Sequence, residues 1–209
     1  MNLIGIAGKA CAGKDTAAAI LTAEFGFIRV ALADPLKRAC AEWFDWPEEQ
    51  LWGPSELRNE PDMTRGGLTP RKALQLLGTE WGRRCWENVW VDIVISTARY
   101  VLAGQGSYDP VCGILGDYDP LVVPHMRPRG VAIPDVRFQN EVDAIHAAGG
   151  KVWLIDRPGA GLTGEAGAHS SEVLPTGFDA IIRNERGLED FKTDVALVAQ
   201  MYGLETVSQ

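Results

Sequence analysis

The chain has 209 residues, of which 46% are hydrophobic and 23% are charged, close to an average globular protein. Its 28 acidic and 20 basic residues give a net charge of −8, which argues against a basic track for nucleic acid. The sequence shows no membrane-spanning apolar run, secretory signal or C-x-x-C pair, so we expect one soluble cytosolic domain with reduced thiols.

The N-terminal region predicts a strand, a glycine-rich turn and a helix. Residues 3–8 form a short apolar run, which is typical of a strand buried on both faces of a parallel sheet. An Ala-rich stretch over 16–25 predicts a helix that ends at Gly26. Between them, residues 8–16 read G-K-A-C-A-G-K-D-T and match the G-x-x-x-x-G-K pattern of a phosphate-binding loop.

The residue types in this loop suit phosphate binding. Gly8 and Gly13 let the backbone curl so that successive N–H groups, including those of Ala10, Cys11 and Ala12, point at phosphate oxygens. The ammonium of Lys14 can bridge the outer phosphates. Ser or Thr normally follows this lysine and holds Mg²⁺, whereas here Asp15 is followed by Thr16. Either of these two side chains is therefore a candidate metal ligand.

Strands and helices continue to alternate along the chain. We expect a strand over 27–32, a helix with Asp34 as N-cap, a loop over 47–68, a helix begun by Thr69 and Pro70, and a helix over 87–102. Residues 104–128 are irregular and predict an inserted loop or hairpin. Strands at 131–134, 151–155 and 180–182 then alternate with helices that end near 148 and 202. The pattern predicts one doubly wound α/β domain on a parallel sheet.

Charged residues follow several of the predicted strands. Asp34 and Lys37 come after the second strand, Asp135 and Arg137 after the third, and Arg157 after the fourth. Since parallel strands end at one edge of a sheet, these side chains should converge above the phosphate loop. We expect Asp135 to hold Mg²⁺ through water and Arg137 to bind an acceptor phosphate. We expect a lid over 157–172, from which Arg157 should stabilise the negative charge of a phosphoryl group during its transfer.

The helix that begins at Thr69 carries a polar stripe. Arg71, Gln75 and Thr79 advance by four residues and should share one helix face. Gly78 falls on that stripe and would let a base or sugar approach, while Gln75 could read a base edge. Arg71 or Arg83 could reach a phosphate. The alternative is an ordinary solvated face.

Together these motifs resemble the deoxynucleoside monophosphate kinases of tailed phages, within the P-loop kinase superfamily. The resemblance is carried by residues 8–16, A-D-P-L-K at 33–37, L-W-G at 51–53, T-P-R-K-A-L-Q-L-L-G-T-E-W-G-R at 69–83, D-V-R-F-Q-N-E at 135–141 and H-S-S-E at 169–172. It implies a P-loop NTPase fold of three α/β/α layers, with a helical substrate-binding insertion over about 38–103. The G-K-D-T ending of the loop is itself typical of the family.

The resemblance also implies an activity. A kinase of this family transfers the γ-phosphoryl group of ATP, with Mg²⁺, to a deoxynucleoside 5′-monophosphate and so supplies precursors for DNA synthesis. It places Asn184 near adenine and adds Glu141 to the substrate-binding residues. The implied partners are small nucleotides in the host cytoplasm, without nucleic acid or membrane, and the tryptophan-rich inserted helices are a candidate homodimer face.

Three alternatives remain at this stage. A P-loop kinase could act on another small metabolite, such as a coenzyme precursor or a sugar acid. A GTPase-like switch is disfavoured because the sequence has no N-K-x-D motif and Asp135 continues as V-R-F. A nucleic-acid motor is disfavoured by the acidic charge and the short length.

Overall fold

The computed structural model describes residues 1–111, 113–117, 127–161 and 173–207, and the statements below refer to these residues. A five-stranded parallel sheet forms the centre, with the strand order β2-β5-β1-β6-β7. A separate antiparallel hairpin pairs β3 with β4. The strands are β1 (Leu3–Ala7), β2 (Phe27–Arg29), β3 (Gly106–Asp109), β4 (Ile114–Asp117), β5 (Gly130–Val136), β6 (Lys151–Asp156) and β7 (Ala180–Arg183).

Helices cover both faces of the sheet, which confirms the predicted three-layer fold with a central parallel sheet. They are α1 (Lys14–Phe25), α2 (Asp34–Phe44), α3 (Glu48–Trp52), α4 (Pro70–Gln75), α5 (Arg83–Cys85), α6 (Val89–Leu102), α7 (Gln139–Ala147) and α8 (Leu188–Met201). Helices α1 and α8 lie on one face, and α6 and α7 lie on the other. A π-helical segment, Leu76–Gly82, joins α4 to α5.

The apolar residues of β1 alternate between two cores. Leu3 and Ala7 pack with α6 and α7, whereas Ile4 and Ile6 pack with α1 and α8. Successive side chains of a strand point to opposite faces, so a fully apolar strand must be covered on both. The buried run at the start of the sequence therefore becomes the middle strand of the sheet.

Several local predictions were wrong. The predicted loop over 47–68 contains α3 and the short 3₁₀ turns Ser55–Asn59 and Met63–Arg65. Strand β2 ends at Arg29 and does not continue to residue 32. The N-cap of α2 is Ala33, because the Asp34 carboxylate turns back and accepts a hydrogen bond from the Ala31 N–H at 3.0 Å.

A β-bulge interrupts β5 beside the site. Ile133 pairs with Gly5 and Val136 with Ala7, so Pro134 and Asp135 together oppose the single residue between Gly5 and Ala7. A bulge tolerates proline, which has no N–H to donate, and it redirects the neighbouring side chain. Asp135 therefore lies within the strand, not after it, and its carboxylate faces the segment between β2 and α2.

The hairpin of β3 and β4 occupies the first part of the irregular region over 104–128, and residues 118–126 lie outside the described residues. Of the predicted lid over 157–172, only residues 157–161 are described. Among the helices described, none combines the length and apolar character needed to cross a bilayer.

Candidate active site

The phosphate loop lies between β1 and α1, and its conformation requires glycine at two points. Gly8 has φ +151 and Gly13 has φ +110, a range that side chains disfavour. A Cβ on Gly8 would lie 2.7 Å from the Ile155 carbonyl oxygen, and one on Gly13 would lie 2.7 Å from Asn184 Nδ2. Helix α1 begins directly after the loop, so its N-terminal N–H groups face the same space.

Three side chains tie the loop together. Lys14 Nζ donates hydrogen bonds to the carbonyls of Gly8 and Lys9, both at 2.8 Å. Asn184, which follows β7, donates from Nδ2 to the Ala12 carbonyl at 2.8 Å. Arg157, which follows β6, donates from Nη1 to the Cys11 carbonyl at 3.3 Å. Residues from three strand ends thus meet at this loop, as the parallel topology predicts.

Two adjoining cavities open along the loop. The smaller, about 260 Å³, is lined by Cys11, Gly13, Lys14, Asp15, Thr16 and Arg157. The larger, about 680 Å³, shares Gly13, Thr16 and Arg157 with it and extends past Asn184 to Phe191. This volume is in the range of small-molecule sites. The arrangement fits an anionic tail in the smaller cavity and a larger flat group in the other.

The metal candidates differ in their surroundings. Asp15 has a carboxylate that is 86% exposed, and Thr16 is half-buried beside it, with both lining the smaller cavity. Within the described ranges, His, Cys, Asp and Glu form no group of three or more that could hold a metal ion. Mg²⁺ in phosphate-transfer sites needs only one or two protein ligands, because phosphates and waters complete its shell. The oxygens of Asp15 and Thr16 suit that chemistry.

Asp34, at the start of α2, is fully buried and is the hub of a group of hydrogen bonds. Its carboxylate accepts hydrogen bonds from the Ala31 N–H at 3.0 Å, from Trp52 Nε1 at 3.1 Å and from the Tyr108 hydroxyl at 2.6 Å. Burial, followed by the charge of Asp34, raises the pKa of the Tyr108 phenol, so this hydroxyl stays a donor at neutral pH. The hub joins α2, α3 and the β3–β4 hairpin.

Asp135 is held in a similar way. Its two carboxylate oxygens accept hydrogen bonds from the Leu32 and Ala33 N–H groups, both at 2.9 Å. Desolvation raises the pKa of this carboxyl, and the two N–H donors oppose that shift. Asp135 thereby orders the segment between β2 and α2 and stands on the same edge of the sheet as the phosphate loop.

Two cations, Lys37 and Arg58, belong to the helices and turns that follow β2. Lys37 is buried and lies 5.5 Å from the Trp52 ring centre, and desolvation lowers the pKa of its ammonium. Arg58 donates from Nη1 to the carbonyls of Leu51 and Gly53. Desolvation lowers the pKa of Arg58, and repulsion from Arg71 and Arg137 adds to this effect.

Arg71 and Arg83 are bound by protein groups. Arg71 donates to the Asn59 side chain and to both oxygens of Ser55. Arg83 is ion-paired to Glu141 at 3.2 Å. Glu141 also accepts from the backbone N–H groups of Arg137 and Phe138, which caps the start of α7. In the structure both arginines brace the inserted helices.

The remaining predicted residues lie on or beside the π segment. Gln75 ends α4, and Thr79 lies inside the π segment, where the 3.6-residue spacing behind the predicted stripe no longer applies. Gly78 packs against α2, since a Cβ there would lie 3.2 Å from Leu36 Cδ1. Its carbonyl accepts from Trp90 Nε1 at 2.9 Å. Gly78 therefore permits a close helix contact within the protein.

Sequence reasoning missed three residues of this region, namely Arg29, Arg58 and Tyr108. Arg29 ends β2, and the strand-end rule that selected Asp34 would have found it had the strand been ended correctly. Arg58 lies in the segment predicted as loop, and Tyr108 lies in the insertion without an assigned role. Neither carries a local pattern that signals its contact.

Comparison with known proteins gives one relevant similarity. Over 202 residues the chain is 36% identical to a protein of Acanthamoeba polyphaga mimivirus named "Putative deoxynucleotide monophosphate kinase". The match covers 93% of this chain and 94% of the mimivirus protein. No family model matches the chain. The similarity thus extends over nearly the whole length of both chains.

Proposed function

Because the chain belongs to the deoxynucleotide monophosphate kinase family, we propose that it transfers the γ-phosphoryl group of ATP to a deoxynucleoside 5′-monophosphate. The observation that carries this proposal is the pair of adjoining cavities on the phosphate loop, together with the cations Lys37 and Arg58 of the segment that follows β2. The two cavities accommodate the nucleotide donor. The cations supply a separate place for a second anion, which is what a kinase needs and a simple hydrolase does not.

The phosphate loop binds ATP, the phosphoryl donor. The N–H groups of residues 8–16 and the N-terminus of α1 bind the phosphates, and Lys14 exchanges its carbonyl partners for phosphate oxygens. The base lies in the larger cavity near Asn184 and Phe191. Arg157, which lines both cavities, stabilises the negative charge on the transferring group.

The acceptor side uses Lys37, Arg137 and Gln75. Asp34 and Asp135 fix the backbone of residues 31–33, directly before the helix that carries Lys37. Arg71, Arg83 and Glu141 hold the inserted helices in register, while Gly78 and Thr79 shape the π segment between them. Mg²⁺ would be held by Asp15 or Thr16 and would neutralise charge on the donor phosphates.

The transfer itself needs little covalent chemistry from the protein. An oxygen of the acceptor phosphate forms a bond to the γ-phosphorus while the bond from that phosphorus to the β–γ bridging oxygen breaks, which yields ADP and a deoxynucleoside diphosphate. The attacking oxygen is already anionic, so no general base is required. The protein aligns two polyanions and offsets their repulsion, which is the task of the cations above.

A product assay tests the proposal. The protein is incubated with ATP, Mg²⁺ and each of the four deoxynucleoside monophosphates, and the nucleotides are separated by anion-exchange chromatography. We expect ADP and a deoxynucleoside diphosphate in equal amounts with at least one acceptor. Consumption of ATP without any diphosphate product from an acceptor would contradict the proposal.

The variant Lys14→Ala links that activity to the phosphate loop. Loss of the ammonium should lower kcat at least about 100-fold, because one preorganised charge contact to the transferring group has this magnitude. The matched control is Lys151→Ala at the opposite, amino end of β6, where the lysine pairs with Asp179. Its kcat should stay within about twofold of the unmodified protein, and equal losses in both variants would reject the assignment.

A further inference from the structure

Arg29 is a half-buried cation between the phosphate loop and α2. Its side chain is 26% exposed, and Nη1 donates to the Pro110 carbonyl of the hairpin at 3.4 Å. Nη1 lies 3.8 Å from Asp34 Oδ2, and Nε lies 3.9 Å from Asp15 Oδ1. A guanidinium has five N–H donors, and the contacts made in the described part of the chain leave most of them without a short partner.

Two buried carboxylates of this region, Asp34 and Asp135, are occupied by other donors. Asp34 accepts from a backbone N–H, an indole and a phenol, and Asp135 accepts from two backbone N–H groups. Their lone pairs thus serve mainly neutral donors that fix the backbone. Arg29 lies at ion-pair distances of 3.8 Å from Asp34 and 3.9 Å from Asp15 without a short hydrogen bond to either, so its donors keep their capacity for a further anion.

A second cation faces the same place. Lys37 lies three residues after Asp34 on α2, and its Nζ is 5.5 Å from the ring centre of Trp52, whose indole donates a hydrogen bond to Asp34. Arg29 and Lys37 share the buried Asp34 carboxylate, which three neutral donors already engage, so both cations can still bind a further anion. A phosphate with two negative charges suits both cations, since a guanidinium fork and an ammonium bind its oxygens from different sides.

We propose that Arg29 binds the phosphate of the acceptor nucleotide together with Lys37, and that the β3–β4 hairpin positions Arg29 for this task. This rests on the proposed function. The acceptor is favoured over ATP because Arg29 lines neither of the two cavities on the phosphate loop, while it lies beside Asp34 of α2. The hairpin acts through the Pro110 carbonyl and through the Tyr108 hydroxyl bound to Asp34.

The test compares acceptors with and without the phosphate. Binding of each deoxynucleoside monophosphate and of the corresponding deoxynucleoside is measured by calorimetry for the unmodified protein and for Arg29→Met. Loss of charge-assisted hydrogen bonds should weaken monophosphate binding roughly 10- to 100-fold and leave deoxynucleoside binding unchanged. Equal weakening of both, or of neither, overturns the proposal, because a merely structural arginine would not distinguish them.

Kinetics separate this proposal from the function on which it rests. In Arg29→Met the KM for the acceptor should rise while the KM for ATP stays constant, and Arg29→Lys should recover part of the acceptor affinity. A fall in kcat with both KM values unchanged would place Arg29 on the transferring group and would refute the acceptor assignment. If the unmodified protein forms no diphosphate at all, the proposed function fails, and the binding comparison still decides the role of Arg29.

Two further variants complete the test. Arg99→Met, on the exposed last turn of α6, serves as the matched arginine control and should change neither binding constant. Tyr108→Phe removes only the hydroxyl that binds Asp34, so it should weaken monophosphate binding by a smaller factor and in the same selective way. An unchanged monophosphate affinity in Tyr108→Phe would remove the hairpin from the proposal.

Discussion

Single buried carboxylates join the inserted helices to the central sheet. Glu141 is 4% exposed and accepts from the N–H groups of Arg137 and Phe138 at 2.7 and 3.0 Å. Its other oxygen pairs with Arg83, whose guanidinium carbon lies 3.8 Å from the Phe138 ring centre. The residue therefore joins the inserted helices to the loop that carries Arg137.

The burial of Glu141 has a consequence for stability. Desolvation raises the pKa of this carboxyl from 4.5 to about 7, so the folded state binds a proton that the unfolded state has lost. The free energy of unfolding should therefore fall by about 1.4 kcal/mol per pH unit between pH 5 and pH 7 through this group. Glu141→Gln removes the titration, so its stability relative to the unmodified protein should increase over that range.

Urea unfolding of both proteins at pH 5, 6 and 7 measures this difference. Comparing the two proteins at each pH cancels the contribution of the other titrating groups, provided that they are independent of residue 141. A difference that stays constant with pH would show that Glu141 titrates normally in the folded protein.

The helical stretch over 70–85 is a strained element with a defined start. Thr69 caps α4 by accepting a hydrogen bond from the Lys72 N–H at 3.2 Å, and Pro70 occupies the first turn. The following π turns are intrinsically less favourable than α turns, and π-helical segments occur often at functional sites. The cap and the contacts of Gly78 with α2 and Trp90 hold the segment in place.

Removal of the cap should destabilise this element measurably. Thr69→Ala should lower the free energy of unfolding by about 1 kcal/mol, the usual effect of losing an N-cap oxygen. In a chain of this size that corresponds to a decrease of about 2–4 °C in Tm by calorimetry. Thr193→Ala, on the exposed face of α8, is the matched control and should stay within about 0.5 kcal/mol. Similar losses in both variants would argue against a capping role.

In the folded chain, the parallel sheet brings the residues of the candidate site together. The residues that follow β1, β2, β6 and β7 meet at one edge, and the bulge in β5 turns Asp135 toward the same edge. The phosphate loop and the inserted helices thus lie on one rigid platform, although they are distant in sequence. Ligand binding at this edge should stabilise the whole folded chain.

Thermal unfolding with and without nucleotide checks this linkage. At an ATP concentration about 100-fold above its Kd, with Mg²⁺ present, stability should rise by about 2.7 kcal/mol. For a domain of this length that is an increase of about 5–10 °C in Tm. Lys14→Ala should show a clearly smaller increase at the same concentration, because its contact with the phosphates is lost. An equal increase in both proteins would place ATP elsewhere.

The parallel α/β fold, the phosphate loop and the residues after most strands can be predicted from the amino-acid sequence. These features depend on neighbouring residues, because glycine conformation, apolar alternation and proline starts act over a few positions. The predictions that were wrong concern single elements, because a π segment and a bulge change the residue spacing on which periodic patterns rely.

The contacts between distant side chains could not be predicted and are seen only in the folded chain. Arg83 and Glu141 are 58 residues apart, and Tyr108 and Asp34 are 74 residues apart, yet each pair shares a hydrogen bond. Such contacts form because the chain folds two distant segments onto one sheet edge, and no spacing within either segment records the partner. The same holds for Arg29, whose role depends on which neighbouring carboxylates are already occupied.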